Sequence, residues 1–472
     1  MTVDAAISRA PDDPSVVVDA PGPELPWWRQ LGLVRRDFLG FLASSAERYG
    51  DIFCIQPAPS TRIFVLNSVD LVSEVLTRRA DEFTKSKQTR FVVGKFLGNG
   101  LVLSEGDQHA RQRRLLQPTF GSKELTVMAR DVVSETEALL KSWDSSQTVD
   151  IEPVMTALSL RVIRRFLVGD ERLRHLDGVD TVGSKSGEHS DDSEVFRTLA
   201  EAIGGRFRSM PLPAWIPTRR NLRERRAVRR VDELVTSLLA QSRTDGHSAT
   251  TLLGTLGTLL DNGQITATEV RDQLVTMLFA GHETVAKVLS WTLYLVARNS
   301  DVQDEIYAEV SGLAAGRQLD ITDLRRLKQT TNAVRESMRL YPPVWVFDRS
   351  PKHSLNLGGL LIHPRDTIYV SPYLLHRQGR YFADPLRFNP SRFEADTTST
   401  HTSAYMPFGA GHRGCIGQSM AVVETVLMIA TIVQSYELRT HDDDDIRPFA
   451  GATLGPTSPI RLSLTRRTGL HH

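Results

Sequence analysis

Apolar and polar positions alternate unevenly along this chain, and the elements they predict are unevenly placed. Near the start, the β-branched runs DIFCIQ (51–56) and RIFVLN (62–67) flank the turn-forming PAPST, a pattern that predicts a hairpin. Strand-like pieces return at 355–371. Most of the rest carries apolar residues at three- and four-residue spacing and predicts helices. The longest helix opens at ITATEV, where Thr266 and Glu269 have capping-box spacing, and its apolar pattern runs to about Arg298. At 1.5 Å per residue that is a rod of roughly 48 Å, long enough to cross a domain. A second apolar helical run, QSMAVVETVLMIATIV, follows at once on a glycine-dense loop, FGAGHRGCIG (408–417). The segment 169–194 is polar and rich in Gly and Ser, which predicts a mobile loop. RRNLRERRAVRR (219–230) reads as a solvated helix face and HDDDDI (441–446) as a surface turn.

Composition narrows the class. With 40% hydrophobic residues, 472 residues can bury a sizeable core. Lys and Arg number 57 against 56 Asp and Glu, so a net charge of +1 gives no electrostatic case for nucleic acid or an anionic membrane. Two cysteines, Cys54 and Cys415, cannot build a disulfide framework and fit a reducing cytoplasm. The N-terminus has acids and prolines where a signal peptide needs a basic start and an apolar stretch, and residues 1–24 read as a loose tail. No window reaches the ~18 uncharged apolar residues of a membrane span. A soluble, cytoplasmic monomer is expected.

In the cysteine loop, Gly409, Gly411, Gly414 and Gly417 permit close backbone approach and positive φ, Phe408 supplies an apolar wall and Arg413 a fixed cation. Cys415 falls at a helix N-terminus, where the dipole predicts a lowered thiol pKa and a thiolate suited to a metal. The alternatives are an inert buried cysteine and a zinc site using His412, for which no further Cys/His cluster stands nearby. Other stretches add chemistry. AGHET (280–284) puts Gly281, costing ~1 kcal/mol in a helix interior, beside Glu283 and Thr284 in the long apolar helix; the bland alternative is a surface pair of Glu283 with Lys287. ESMRLYPP places Glu336 and Arg339 at i,i+3 on a helix that must stop by Tyr341. Left exposed, that pair would contribute only ~0.3–0.5 kcal/mol. GDQHARQRRLLQPTF sets His109 and Arg113 on one helical face, with Arg111 and Arg114 elsewhere; a plain basic surface helix is the alternative there.

Phe408, Gly411, Arg413, Cys415 and Gly417 fall on F-x-x-G-x-R-x-C-x-G, and here the chain resembles the cytochrome P450 family of haem-thiolate monooxygenases. The resemblance covers about residue 25 to the C-terminus as one domain and implies a mainly α fold with a small β-rich lobe (α+β), the haem lying between the helix of Thr284 and the loop of Cys415. It implies that Cys415 is the axial ligand of haem b, donating electron density that favours O–O cleavage. Arg413, His109, Arg113 and, less distinctly, Arg349 match residues that meet haem carboxylates. By the same resemblance Gly281 lets the long helix pass close over haem, Thr284 assists oxygen activation and Glu283 serves proton delivery. Glu336 and Arg339 become a buried pair completed by Arg392 of FNPSRF, where Ser391 replaces a common Glu.

DVQDEIYAEV and LPAWIPT look like pieces of bacterial members of the branch that includes terpene and fatty-acid hydroxylases. Substrate contacts are expected from Phe91, Val92, Phe96, Leu97, Met277, Ala280, Val344, Trp345, Val346 and Thr453, a mostly apolar set that suits a medium-to-large apolar metabolite. Only 57 residues follow Cys415, too few for a flavin reductase domain. NAD(P)H-derived electrons are thus expected from a separate ferredoxin and ferredoxin reductase, docking where Arg111 and Arg114 point outward. The alternatives are a peroxide-driven haem enzyme or isomerase, whose members usually lack the acid and alcohol pair, and a haem-thiolate sensor without turnover.

Overall fold

The computed structural model describes residues 20–144, 146–169, 191–207, 218–244, 251–314, 317–394, 403–440 and 446–467. The predicted hairpin forms. Helix α1 (Trp27–Tyr49) leads into β1 (Ile52–Ala58) and β2 (Thr61–Leu66), antiparallel with Phe53 opposite Val65 and Cys54 opposite Phe64. The pair is one side of a five-stranded sheet that continues through β8 (Thr367–Val370), parallel to β2, then β5 (Phe347–Pro351), and ends at the two-residue β3 (Phe83–Thr84). The apolar side of α1, with Val34, Phe38 and Leu42, packs onto Phe53, Ile55, Trp345 and Tyr369 and forms a core of its own. The chain ahead of α1 is not loose throughout: Cys54 N–H donates to Pro21 O (2.8 Å), and a side chain at Gly22 would meet Cys54 O at 2.1 Å.

The helical body holds α2 (Lys87–Leu97), α3 (Gly106–Leu116), α4 (Ser122–Lys141), α5 (Ile151–Val168), α6 (Asp191–Phe207), α7 (Arg219–Thr244) and α8 (Leu252–Asp261). Through its middle runs α9 (Ala267–Ala297), packed on α5, on α11 (Lys328–Leu340) and on α12 (Gln418–Ser435). Its predicted start is realised: Glu269 N–H donates to Thr266 Oγ1 (3.2 Å) and Thr266 N–H to Glu269 Oε2 (3.0 Å). Asp272 and Gln273, one turn on, accept from the N–H groups of Asn99 and Leu101 and pin the loop after α2. The hairpin of β10 (Pro448–Ala450) and β11 (Leu454–Pro456) reaches back over α9.

Among the described residues one helix, α12, is long and apolar enough to cross a membrane, yet 67% of it is buried inside the protein. It also carries Glu424, whose burial pushes its carboxyl well above the ordinary range. The basic run lies on α7, where Arg219, Arg223, Arg226 and Arg229 are exposed as expected, but Glu224 turns inward and accepts from Arg206, Lys95 (3.1 Å) and Arg220 (3.1 Å). Of the expected mobile loop, 170–190 lie outside the described residues and 191–194 open α6; residues 441–445 also lie outside.

Candidate functional site

The cysteine loop closes on itself. Cys415 N–H donates to Phe408 O (2.9 Å), and Gly409 and Gly411 take φ of +75° and +69°. A side chain at Gly411 would start 2.1 Å from Leu76 O, so glycine is required there by packing as well as by φ. Helix α12 begins at Gln418 and places Cys415 just ahead of its N-terminus. Helix position does not set the thiol's state as expected: burial pushes the Cys415 thiol up, against the opposing Gly417 N–H and Arg113. Protein atoms crowd Cys415 while its surface stays accessible, so the thiol lines a recess and not the outer face. A bound metal cation would deprotonate it outright.

Beside the loop, Lys85, Glu105, Arg349, His412 and Arg413 line one small pocket. Arg413 Nη2 donates to the Glu105 carboxylate, while its buried Nη1 has no hydrogen-bond partner. Arg349, on β5, donates from Nη1 to Asp348 O (2.7 Å). Lys85 was invisible to motif reasoning; the pairing of Thr84 with Ser350 brings it beside Arg349. Burial, then Arg349, push its ammonium down to about 8. Helix α3 supplies the rest: Arg113 Nη1 donates to Gly414 O (2.8 Å), and the buried His109 ring stands 6.1 Å from His412. Burial, then Arg413, push His109 down to about 4, so it is neutral. Arg111 does not point free into solvent as expected: it pairs with Glu269 and Gln264 O (2.6 Å) at the start of α9. The lining suits the acid groups of a porphyrin. It already holds one carboxylate, keeps a buried guanidinium N–H to spare, and adjoins a recessed thiol.

On α9, Ala280, Gly281 and Thr284 keep accessible surface in a helix otherwise buried over most of its length. They share one face. Thr284 Oγ1 donates to Ala280 O (2.7 Å). The close neighbour of Gly281 is Ile163 of α5, whose Cδ1 would lie 2.7 Å from an added Cβ. Glu283 lies on the adjacent face and is not the surface partner of Lys287: both are buried, and Thr453 Oγ1 donates to Glu283 Oε1 (2.8 Å).

The Glu336–Arg339 pair is fully buried. Arg339 grips the carboxylate through Nε and Nη2 (2.7 and 2.8 Å), donates from Nη1 to His376 O (2.7 Å) and Pro385 O (2.6 Å), and from Nη2 to Arg387 O (3.2 Å). Arg392 joins through Nε to Glu336 Oε1 (3.3 Å), and Ser391 only caps Asn389 Oδ1 (2.6 Å). His376, unnoticed in the sequence, accepts Met406 N–H at Nε2 (3.0 Å), so its proton sits on Nδ1 and is donated to Arg339 O (3.1 Å). The ring thus ties the pair to the approach of the cysteine loop.

The family model described as Cytochrome P450 matches residues 20–464. The chain belongs to the cytochrome P450 family. This P450 is 32% identical to cyclooctat-9-en-7-ol 5-monooxygenase of Streptomyces melanosporofaciens over 95% of its own length and 94% of the relative's. It is 31% identical to pentalenene oxygenase of Streptomyces avermitilis, over 90% and 92%. It is a monooxygenase, an oxidoreductase of the haem-thiolate type.

The residues expected to line the P450's substrate site are spread more widely than expected. Phe91, on α2, is 64% exposed. Val92, Phe96, Leu97 and Met277 sit in the main core. Ala280, Val344 and Val346 keep accessible surface, while Trp345 packs edge-on against Phe38 (5.3 Å) and donates to Gly451 O (3.1 Å). Thr453 spends its hydroxyl on Glu283.

Proposed function

We propose that this P450 would hold haem b through the Cys415 thiolate and use dioxygen to oxidise a cyclic terpenoid hydrocarbon or its alcohol. The observation that carries the reading is the recessed Cys415 thiol beside a cationic pocket that already binds a carboxylate. The substrate class is supported by the names of two relatives, whose compounds are an alkene and an unsaturated alcohol, and by the apolar character of Ala280, Val344 and Val346.

When bound, haem supplies dioxygen reduction and C–H oxidation, one oxygen atom leaving as water and the other entering the product for two electrons and two protons. The chain's own residues do the rest. Arg413 Nη1, Arg349 and Lys85 would hold the haem carboxylates in place of Glu105, and His109 would add a neutral donor. Arg113 holds the Gly414 carbonyl and with it the direction of the Cys415 side chain. Ala280, Gly281 and Thr284 form the helix face turned to the reaction, with the Thr284 hydroxyl held at Ala280 O until a ligand competes for it. Glu283 takes protons from outside and passes them toward that face. Electrons come from a separate ferredoxin and its reductase, docking near exposed Arg114.

The test is an optical titration of the ferric protein with pentalenene, cyclooctat-9-en-7-ol, fatty acids and polyketides. A high-spin shift with the cyclic compounds alone supports the class; a shift with another class replaces it. Cys415→Ser should abolish the thiolate-type absorption of the reduced carbon monoxide complex. Its retention would remove Cys415 from the ligand role.

A further inference from the structure

A cavity of about 770 Å3 is lined on the α9 side by Glu283 and Lys287, next to the face that carries Ala280 and Thr284. Its wall is mixed, with the polar Glu152 at the start of α5, Arg197 and Glu201 of α6 and Thr453 of the β10–β11 hairpin set beside the apolar Phe449 and Ala452. Lys287 donates to Glu152 and lies 3.7 Å from Glu283 Oε1, while Thr453 Oγ1 donates to the same Glu283 oxygen (2.8 Å). The hairpin tip is fixed by two indoles, Trp291 Nε1 on Leu454 O (3.0 Å) and Trp345 Nε1 on Gly451 O (3.1 Å).

Three charges so placed are costly. Desolvation opposes burying them, and an apolar trio of similar volume would often be as stable. Burial alone pulls the Lys287 ammonium down, yet the Glu283 and Glu152 carboxylates outweigh it and hold it above its ordinary value. Lys287 is therefore held as a cation beside the Glu283 carboxylate.

We infer that Lys287 and Glu152 are positioning residues for Glu283, holding its carboxylate with Thr453 at the inner end of this cavity so that solvent water entering there supplies its protons. The inference rests on the role given to Glu283 above. The probe is dioxygen alone: haem-loaded protein is reduced with dithionite and mixed with dissolved oxygen, and reoxidation is followed by stopped flow in H2O and D2O. Lys287→Met is expected to slow reoxidation about tenfold and to raise the solvent isotope effect, because the acid is no longer held in line. Lys287→Arg should restore most of the rate. Urea midpoints of Lys287→Met and Glu283→Gln should combine non-additively, since both remove one contact. If Lys287→Met does not fold to a thiolate-type carbon monoxide spectrum, Glu152→Gln, whose side chain reaches solvent, carries the same expectations at smaller amplitude. Should Glu283→Gln itself leave rate and isotope effect unchanged, the proton-delivery reading fails. Should Glu283→Gln slow reoxidation while the Lys287 and Glu152 variants do not, or should the midpoints add, the positioning inference alone is overturned.

Discussion

His376 gives this P450 a pH-dependent stability that one substitution should remove. The ring is fully buried, stacked on Tyr405 (5.4 Å), and both nitrogens are committed: Nε2 accepts Met406 N–H and Nδ1–H donates to Arg339 O. Protonating Nε2 would turn an acceptor toward a donor beside the Arg339 guanidinium. Burial, then the arginines, accordingly push the imidazole from 6.5 down to about 3. Above pH 6.5 neither the folded nor the unfolded form holds the proton and nothing is lost. As pH falls below 6.5 the unfolded chain takes up a proton that the folded one refuses, so stability declines until about pH 3. At pH 5 the gap to the unfolded pKa is 1.5 units, which at 1.36 kcal/mol per unit is a loss of about 2 kcal/mol. His376→Gln keeps a donor and an acceptor but cannot titrate. Urea unfolding followed by tryptophan fluorescence at pH 7 and pH 5 should show wild type losing about 2 kcal/mol more than the variant on acidification. The other titrating groups, His109 included, are common to both proteins and cancel in the difference. Equal pH dependence in the two proteins would refute the argument, whatever the variant's absolute stability.

Other consequences can be checked directly. Arg339→Met leaves Glu336 buried and three carbonyls without their donor; a loss of about 3–5 kcal/mol in urea unfolding is expected, and a loss below about 1 kcal/mol would mean that residues 376–394 hold themselves. Arg114→Glu should slow reduction by ferredoxin about tenfold at low ionic strength and less at high salt, with substrate titrations unchanged; salt-independent slowing would argue for damage to α3 instead. Thr284→Ala should divert oxygen consumption from product to peroxide, and unchanged product per oxygen would take the hydroxyl out of the reaction.

What the sequence made legible is what local rules control. The α9 start at Thr266, the β1–β2 hairpin and the loop-to-helix step at Cys415 each rest on residues close in the chain, and each forms where predicted. Burial was not legible, because spacing places two charges on one face without saying what covers that face. Glu283 with Lys287 and Glu336 with Arg339 read equally well as surface pairs, and only the packing of α5, the hairpin tip and residues 376–394 shows them enclosed. The Cys415 thiol failed as an expectation for the same reason: helix position favours the anion, and burial, which no motif reports, outweighs it. Lys85 and His376 had no signal at all. One arrives through strand pairing across more than 260 residues of chain, the other through a turn whose partners lie 30 and 37 residues away.

The buried ionic knot makes physical sense once the backbone it serves is considered. Residues 376–394 contain little regular structure, so their carbonyls cannot be satisfied by a helix or a ladder. Arg339 takes the carbonyls of His376, Pro385 and Arg387, and Arg392 takes Ala383 (2.7 Å) and reaches Asp384, whose φ of +44° is itself a turn that needs holding. A guanidinium carries five donors in a rigid plane; no apolar core could replace that function. Glu336 then neutralises both arginines and accepts Asn389 N–H (3.0 Å) with the same oxygen that meets Arg392. The ion pair is thus kept less for its own energy than because it lets an irregular chain lie buried in one conformation, and that chain leads, through Met406 on His376, to the loop that sets Cys415.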